Sequence, residues 1–495
     1  MSFTLRPYQQ EFADNIIKGL AQHKRIIACA ATGSGKTKTF IYLAQRAMTK
    51  GLTVLVLTES TKIYDQLTDE LHAGNINADT RDQYIAPGHI YIAMAQTLSR
   101  RPKMISQFVQ QSDKLLIITD EAHIGTPTKL LKQFDKALHI GFTATPDYRF
   151  AKHLPVLYNS CIVGPQPDEL VTNGYLSPYR HYARVLANLD ELKIKNGEFT
   201  EETQERVFES KKVFDGLIDD LSTITFGKAL IFTASIRHCE EVYKQLSDSG
   251  INCIRIHSKL PQPQQTFDMA RYRSLDNNNR VDVCISVGVL TKGFDFPAID
   301  LVILDRATTS LPLYLQMIGR GSRTADNKQY FTVLDYGGNY ERHGLWDAHI
   351  DWGKKWKEKK NKKDGVAPVK MCPKCDYINH SSAPTCKNCG YVFEKTEIID
   401  EEKTKLIEIT ASYRKLTGRL ISTLAPNELA LYARFKNKKG YAARIARAKY
   451  QEGDKSFIDQ FSQSMGYKSG WVHFQTRDLD QSNASKIEYH NIILK

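Results

Sequence analysis

The sequence predicts an α/β protein with two tandem domains, each built on a doubly wound parallel sheet, followed by a small four-cysteine element and a mainly helical C-terminal domain. Two sets of five short apolar runs alternate with helix-length segments. Four of the nine cysteines are clustered, and positive charge is concentrated in the last third of the chain. The 495 residues, 41% of them hydrophobic, are enough for several domains with large cores.

The strand-like runs set the expected domain boundaries. The first set covers residues 26–30, 53–58, 89–95, 115–119 and 139–144, and the second covers 229–233, 253–257, 281–287, 301–305 and 330–335. A more irregular stretch, about 153–209, separates the two sets. We expect a first domain over 1–165, a linker and second domain over 166–345, a basic linker over 346–370, the cysteine element over 371–395 and the helical domain over 396–495.

The first run leads into a glycine-rich turn and a helix start, in the sequence RIIACAATGSGKTKTF at 25–40. Glycines let the backbone curl around an anion, and the first helical N–H groups point into the curl. A lysine and a hydroxyl then add a point charge and a magnesium ligand. Ala30 stands where the common pattern begins with glycine. The stretch predicts a nucleoside triphosphate site formed by Thr32, Gly33, Ser34, Gly35, Lys36 and Thr37.

Other polar residues complete this predicted site. Arg6 and Gln9 precede an amphipathic helix, and the amide of Gln9 has the donor and acceptor needed to pair with adenine. Asp120 and Glu121 follow a buried strand-like run. One such carboxylate can hold magnesium with Thr37, and the next can position or deprotonate the attacking water. We assign the metal to Asp120 and the base to Glu121, the alternative being an acidic loop.

The ordered motifs resemble those of superfamily 2 helicases and translocases with a DEAH box. AATGSGKT at 30–37, DEAH at 120–123 and TAT at 143–145 match the first domain of that family, and IFTA at 231–234, LTKGFD at 290–295 and QMIGRGSR at 316–323 match the second. The match spans about residues 5–345. It implies two RecA-like domains, hydrolysis of ATP with Mg²⁺, and a nucleic-acid partner. It also implies that Gly293 and Asp295 serve the nucleotide, and that Thr58, Thr143 and Thr291 contact the strand or couple it to ATP, although each threonine could equally be an ordinary strand-end residue.

The last of these motifs carries the residues expected to reach across from the second domain. Arg320 and Arg323 are three residues apart, so on a helical turn they share a face and can reach one phosphate. They would neutralise charge on the transferred γ-phosphoryl group, as an arginine finger does. Gln316 opens the same motif. In isolation the pattern would indicate a surface basic pair, but its place in the ordered set predicts a catalytic role for Gln316, Arg320 and Arg323.

The clustered cysteines have metal-ligand spacing. Cys372, Cys375, Cys386 and Cys389 form C-x2-C-x10-C-x2-C. Four thiolates converging on one tetrahedral ion in a reducing compartment favour structural Zn²⁺. An iron centre on the same thiolates is the alternative, and a redox role would need a βαβ context that the sequence lacks here.

The tail is basic and aromatic. From residue 346 onward there are 28 Lys+Arg against 18 Asp+Glu, a net charge of +10 out of +13 for the chain, and all four tryptophans lie there. Seven lysines in 354–363 could clamp backbone phosphates or form a solvated segment. Residues 432–449 interleave positive charge with rings, as single-strand binders do, although an amphipathic helix with a basic outer face is an equal alternative.

A helicase core, a four-cysteine element and GYKSGW at 466–471 together resemble the bacterial RadD subfamily and related phage DNA helicases. This resemblance implies a role in DNA recombination, repair or replication, with DNA favoured over RNA and a recombination or single-strand-binding protein as a partner. Two alternatives stay open: an RNA helicase, and an adaptor whose ATPase acts as a switch. We identify no metal-nuclease motif, membrane span or signal peptide, and we expect a cytoplasmic enzyme.

Overall fold

In the computed structural model, the chain is described over residues 4–71, 73–80, 83–124, 128–183, 189–274, 280–288, 290 and 296–357. In the C-terminal part it is described over residues 369–371, 378–380, 385, 389–391, 407–408, 410, 413, 415–436, 438–467, 470–477, 479, 487–489 and 492–494. Among these residues no helix has both the length and the apolar character needed to cross a membrane.

The first domain contains a seven-stranded parallel sheet. Its strands are β1 (Arg25–Cys29), β2 (Thr53–Thr58), β3 (Gly74–Ile76), β4 (Ile90–Met94), β5 (Leu115–Thr119), β6 (Leu138–Thr143) and β7 (Ser160–Val163). Their order across the sheet is β3-β4-β2-β5-β6-β1-β7. Because β5, β6 and β1 are neighbours and parallel, the loops after these three strands meet at one edge of the sheet.

The second domain has a sheet of similar design. Its strands are β8 (Tyr179–Ala183), β11 (Ala229–Thr233), β12 (Cys253–Ile256), β13 (Val283–Ser286), β14 (Leu301–Asp305), β15 (Phe331–Asp335) and β18 (Ile407–Glu408). Their order is β12-β13-β11-β14-β15-β8-β18, and only β18 runs antiparallel to its neighbour. Two small antiparallel pairs complete the strands: β9 (Ile194–Lys195) with β10 (Glu198–Phe199), and β16 (Val369–Met371) with β17 (Ile378–His380).

Helices cover both sheets and form the C-terminal domain. Those of the first half are α1 (Pro7–Gln22), α2 (Lys36–Thr49), α3 (Thr61–Leu71), α4 (Ala95–Leu98), α5 (Pro102–Gln110), α6 (Thr128–Leu131) and α7 (Leu154–Leu157). The second half has α8 (Pro167–Thr172), α9 (Glu201–Phe208), α10 (Lys211–Thr223), α11 (Ile236–Asp248), α12 (Gln262–Arg273), α13 (Leu311–Ile318), α14 (Asn339–His343) and α15 (Trp352–Lys355). The C-terminal helices are α16 (Pro426–Phe435), α17 (Lys439–Gln451), α18 (Lys455–Met465) and α19 (Trp471–Thr476).

Alternating side chains fill the cores on the two faces of each sheet. In β2, Val54 and Val56 pack on one face, while Leu55 and Leu57 pack on the other. The second sheet repeats this arrangement, with Leu230 of β11 on one face and Ile231 on the other. Strands that are buried on both faces read as continuous apolar runs, which is why the sequence revealed them.

The prediction of two parallel-sheet α/β domains and a helical C-terminal region is confirmed. The prediction of a more irregular stretch over 153–209 is wrong, because it contains β7, which pairs with β1, and β8, which pairs with β15. The sequence did not reveal these strands because neither is buried along its whole length. β7 is partly exposed at the edge of its sheet, and β8, YRHYA, alternates between buried and half-buried residues.

The stretch expected to be a basic linker is packed over its first twelve residues. Trp346 and Trp352 are buried in the core cluster of the second domain, whereas Trp356 is buried in a core cluster of the first. The chain therefore returns to the first domain after completing β15. Farther on, β18 pairs with β8, and the C-terminal helices pack against Tyr340 and Leu345 of the second domain.

Candidate nucleotide site between the two sheets

The phosphate loop lies between β1 and α2. Gly33 and Gly35 have φ values of 84° and 76°, in the left-handed region that favours glycine. A Cβ on Gly35 would lie 2.3 Å from Nε2 of Gln9, so a side chain there would displace the end of the Gln9 side chain. Lys36 Nζ donates to the carbonyl oxygens of Ala30 and Ala31 at 3.3 and 3.4 Å. The ammonium therefore lies over the loop where phosphates would be held.

The start of α1 is joined to this loop. Gln9 Nε2 and the Tyr8 hydroxyl both donate to the Ser34 carbonyl, at 3.1 and 2.9 Å, while Gln9 Oε1 accepts from the Arg6 N–H at 3.0 Å. An amide has two donor hydrogens and two acceptor lone pairs, so Gln9 retains capacity for the adenine pairing predicted from the sequence.

An aromatic residue that the sequence did not single out lies beside Tyr8. The rings of Tyr8 and Tyr175 are 4.6 Å apart, and the Arg6 guanidinium lies 5.3 Å from the Tyr175 ring centroid. Both tyrosines line a groove of about 480 Å³. Tyr175 follows α8 in an irregular segment, and a lone tyrosine there gives no sequence signal, so only the structure places it beside Arg6.

The acidic pair follows β5. Burial, together with the neighbouring Glu121 carboxylate, raises the pKa of Asp120 to about 7. Burial alone would also raise the pKa of Glu121, but the His123 hydrogen bond and the charges of Lys36, His123 and Arg320 hold it at about 2. Glu121 also adopts a left-handed backbone, with φ 47°, which is uncommon for a non-glycine residue and clusters at functional sites.

His123 connects the acidic pair to the end of β6. Its Nδ1 lies 3.2 Å from Glu121 Oε2 and 3.0 Å from Thr143 Oγ1. The Thr143 hydroxyl also accepts from the Thr145 N–H at 3.1 Å. The DEAH box and the TAT motif thus share one hydrogen-bonded group, as expected for strands that are adjacent in the sheet.

Residues of the second domain face this edge across a cleft. A Cβ built on Gly33 would lie 3.2 Å from Ser322 Oγ and 3.9 Å from Arg323 Cγ, and a Cβ on Gly319 would lie 2.9 Å from Thr32 Cβ. Burial lowers the pKa of both Arg320 and Arg323 to about 10, with the Glu121 carboxylate opposing the shift for Arg320. Both guanidinium groups therefore stay charged at neutral pH. Gln316 is buried in α13, ahead of the two arginines in the chain.

The side chains present fit a magnesium nucleotide. In the phosphate loop, Ser34 Oγ is buried and makes no hydrogen bond within the described part of the chain, which suits an added acceptor. A divalent cation bound by Asp120 and the Thr37 hydroxyl would offset the cost of two adjacent buried carboxylates. Bound Mg²⁺ would neutralise phosphate charge at this position.

Two groups of predicted residues cannot be placed. Gly293 and Asp295, with Thr291 of the same motif, lie outside the described residues, as do Cys372, Cys375 and Cys386. Cys389 is described and is partly buried. Thr58 ends β2, and its hydroxyl accepts from the Ser60 N–H at 3.1 Å.

Two family models match the chain in these domains. Residues 2–148 match the model described as Type III restriction enzyme, res subunit, and residues 212–325 match that of the Helicase conserved C-terminal domain. The two-sheet fold, these matches and the helicase-named relatives described next support an ATP-hydrolysing enzyme of the superfamily 2 helicase class.

Individual relatives are distant. The chain is 27% identical over 394 residues to a 51.5 kDa protein of Lactococcus phage (isolate 7-9), covering 76% of this chain and 82% of that protein. It is 24% identical over 365 residues to the Saccharomyces cerevisiae protein named as ATP-dependent helicase IRC3, covering 67% of this chain and 51% of that protein. The chain thus spans about half of the yeast relative.

Other relatives are named for different activities. The Type I restriction enzyme EcoAI endonuclease subunit of Escherichia coli is 24% identical, with 67% of this chain and 46% of that protein covered. A Mus musculus protein named as RNA helicase DDX49 is 22% identical, with 64% and 67% covered. The fold is similar to that of a fragment of an HsdR subunit of a type I restriction enzyme from Vibrio vulnificus YJ016, with a TM-score of 0.55 and 22% identity over 68% of this chain and 65% of that one.

Proposed function

We propose that the chain is an ATP-dependent DNA helicase or translocase that acts in recombination, repair or replication, on branched DNA or DNA with single-stranded parts. The observation that carries this proposal is the divided site. Ser322 and Arg323 of one sheet domain lie against Gly33 in the phosphate loop of the other. A nucleotide shared across such a boundary links hydrolysis to relative movement of the domains.

Each polar group has a distinct task in this proposal. Lys36 and the loop N–H groups hold the phosphates, and Arg6 and Gln9 hold the base. Glu121, ionised at neutral pH because its pKa is about 2, orients the attacking water and accepts its proton. Arg320 and Arg323 neutralise charge that develops on the transferred phosphoryl group. Catalysis therefore depends mainly on positioning and electrostatics.

Movement along nucleic acid follows from the same arrangement. The arginines gain their phosphate partner only when the domains are closed, so ATP favours closure and hydrolysis releases it. If each domain grips one part of a strand backbone, repeated closing and opening moves the protein along it. The basic C-terminal part, with a net charge of +10 from residue 346, supplies further contacts to phosphates.

DNA is our first choice of substrate. The restriction enzyme subunit among the relatives and the resemblance to RadD and phage DNA helicases support it. Gln316 stands where many RNA-unwinding DEAD-box proteins carry histidine. RNA is the second candidate, because RNA helicases are also among the relatives. A nucleotide-switched adaptor for a recombination or single-strand-binding protein would instead respond to a protein partner.

A ligand panel separates these candidates. We expect single-stranded and forked DNA to stimulate ATP turnover more than RNA of the same length. Lys36→Ala and Arg323→Ala should abolish the stimulated turnover and leave nucleic-acid binding largely intact, because neither residue is assigned to the strand. Stimulation by RNA alone would establish the RNA helicase, and stimulation by a protein partner alone would establish the adaptor. Normal hydrolysis by Arg323→Ala would refute the role given to that residue.

We further propose that Cys372, Cys375, Cys386 and Cys389 hold one structural zinc. In the sequence, Cys372 and Cys375 lie between β16 and β17, and those strands pair with Met371 opposite Ile378. Metal analysis of the purified protein should give one zinc per chain, and Cys386→Ser should lose it, since three thiolates bind more weakly than four. Stoichiometric iron would establish the alternative centre, and a chain without bound metal would refute both.

A further inference from the structure

A lysine outside the recognised motifs binds the backbone of the arginine motif. Lys328 lies in the loop between α13 and β15, and its Nζ donates to the carbonyl oxygens of Gly321 at 2.5 Å and Arg323 at 2.8 Å. The same ammonium donates to the carbonyls of Pro297 at 3.1 Å and Ile299 at 2.5 Å, in the segment before β14. One side chain thus ties together two segments of the second domain.

The turn that Lys328 binds follows the C-terminal end of the helix that begins the motif. The last carbonyls of an α-helix have no partner within the helix, and its C-terminal end carries partial negative charge. α13 ends at Ile318, and residues 319–323 turn away from it. A cation placed after this end is favoured electrostatically, and its three N–H donors hold several carbonyls at fixed positions.

A second residue holds the same turn from the opposite side. Ser177, which is 1% exposed and precedes β8, donates its N–H to the Ser322 carbonyl at 2.7 Å and its hydroxyl to the Arg323 carbonyl at 3.0 Å. Three consecutive carbonyls, those of Gly321, Ser322 and Arg323, are therefore fixed by side-chain or backbone donors. This turn carries the Ser322 and Arg323 side chains that meet the phosphate loop at Gly33.

We propose that Lys328 is a positioning residue for ATP hydrolysis, which fixes the backbone of residues 321–323 so that the Arg320 and Arg323 guanidinium groups are held toward the phosphate loop. This inference rests on the role proposed above for the two arginines. It goes beyond that role because Lys328 lies five residues past the motif and acts only through it. Burial lowers the pKa of Lys328 to about 8, consistent with an ammonium group withdrawn from water.

The test is the ATPase activity of Lys328→Met, an apolar side chain of similar length. We expect kcat to fall roughly 10- to 100-fold, the range expected when a catalytic group is displaced by about 1 Å. The KM for ATP should change less than threefold, because the phosphate loop and the base contacts are untouched. Lys328→Arg, which keeps the charge and the N–H donors, should recover at least a third of the lost activity. Lys244→Met, at an exposed lysine of α11, is the matched control and should resemble the unsubstituted protein.

A double-mutant cycle with Arg323→Ala distinguishes positioning from general destabilisation. If Lys328 acts through the arginine, Lys328→Met should add less than a threefold loss to the residual basal turnover of Arg323→Ala. The proposal would be overturned if the losses of the two single variants were fully additive in the double variant. It would also be overturned if Lys328→Met raised KM and lowered thermal stability without loss of kcat. If Arg323→Ala loses activity while Lys328→Met does not, only this inference fails. If neither loses activity, the arginine role itself fails.

Discussion

At the residue scale, the coupling between the acidic pair and the next strand depends on a few polar atoms. His123 Nδ1 lies within hydrogen-bond distance of both Glu121 and Thr143, and the Thr143 hydroxyl also fixes the Thr145 backbone. Neighbouring loops at the edge of a parallel sheet can therefore respond together when one of them moves. The resemblance to helicases assigned a coupling role to Thr143, and the hydrogen bonds provide a physical route for it.

Thr143→Val should separate ATP hydrolysis from its stimulation by nucleic acid. Valine keeps the shape of threonine but removes the hydroxyl that accepts from Thr145 and faces His123. We expect the ratio of stimulated to basal turnover to fall about tenfold, equivalent to about 1.4 kcal/mol of lost coupling. Steady-state ATPase assays with and without the preferred strand measure this ratio.

Thr233→Val is the matched control. Thr233 also ends a central strand, β11, and its hydroxyl donates to the Ser286 carbonyl at 3.4 Å. It belongs to the second sheet domain, whereas the acidic pair follows β5 of the first, and we expect its substitution to change stability more than coupling. An unchanged ratio in Thr143→Val would show that the His123 contact is not a coupling path.

The phosphate loop is the part of the candidate site that could be predicted from the sequence. The phosphate loop was recognisable despite Ala30, and the structure explains why alanine is accepted there. Ala30 is not among the residues with positive φ, whereas Gly33 and Gly35 are. Its N–H continues the pairing with β6 by donating to the Thr143 carbonyl at 3.0 Å. The backbone conformations that the loop requires could therefore be predicted from the sequence. The roles of Tyr175 and Ser177 could not, because their partners are distant in sequence. Lys328 was missed because a single lysine in a loop carries no pattern.

At the element scale, strands with continuous apolar runs were predicted to within one or two residues. β7 and β8 were missed because neither is a continuous apolar run: β7 lies at the edge of its sheet, and β8 contains polar residues. In β8, His181 is completely buried beside the rings of Tyr179 and Tyr340, and burial lowers its pKa to about 3. A histidine kept neutral in this way packs as part of the core, a property that no periodicity reveals.

For the aromatic residues of the C-terminal domain, the sequence allowed two interpretations. Tyr432 and Phe435 of α16 are 4% and 0% exposed, and they pack in the core of the C-terminal domain. Arg434 between them donates to the Ser464 carbonyl at 2.6 Å. These two rings are therefore unavailable for stacking on bases, and the amphipathic-helix interpretation describes α16 better. Aromatic residues interleaved with positive charge look alike in a core helix and in a strand-binding surface, so the sequence could not decide.

At the scale of the whole molecule, residues 346–357 join the two sheet domains a second time. We call residues 346–357 the return segment. Gln166 lies between β7 and α8, where the chain first passes from one sheet domain to the other. Its side chain makes two hydrogen bonds with the backbone of Ile350, at 2.8 and 2.9 Å. Beyond it, the Tyr148 N–H donates to the Lys355 carbonyl at 3.2 Å, and Lys355 Nζ lies 3.6 Å from Asp147. Asp147 follows the TAT motif by two residues. The segment therefore reaches from the second sheet domain to a loop next to the nucleotide site.

Trp356 anchors this return segment, and its removal should destabilise the first domain although it follows the second in sequence. The side chain is 2% exposed within a core cluster that includes Leu154 and Tyr158. Truncating a buried tryptophan to alanine costs about 3–5 kcal/mol, so Trp356→Ala should lower the unfolding midpoint of the first domain in calorimetry or denaturant titration. Lys357→Ala, at the exposed neighbour whose ammonium lies 4.5 Å from the Trp356 ring centroid, is the control. It should change stability by less than about 0.5 kcal/mol.

Truncation tests the same claim without a point substitution. A chain ending at residue 357 keeps Trp356 in the first-domain core, whereas a chain ending at residue 345 exposes the surface that the ring covers. The longer chain should therefore resist heat and proteolysis in its first domain better than the shorter one, although neither contains the C-terminal helices. Equal stability of the two would mean that the packing of Trp356 contributes little, and that the two sheet domains are effectively joined only by the segment after β7.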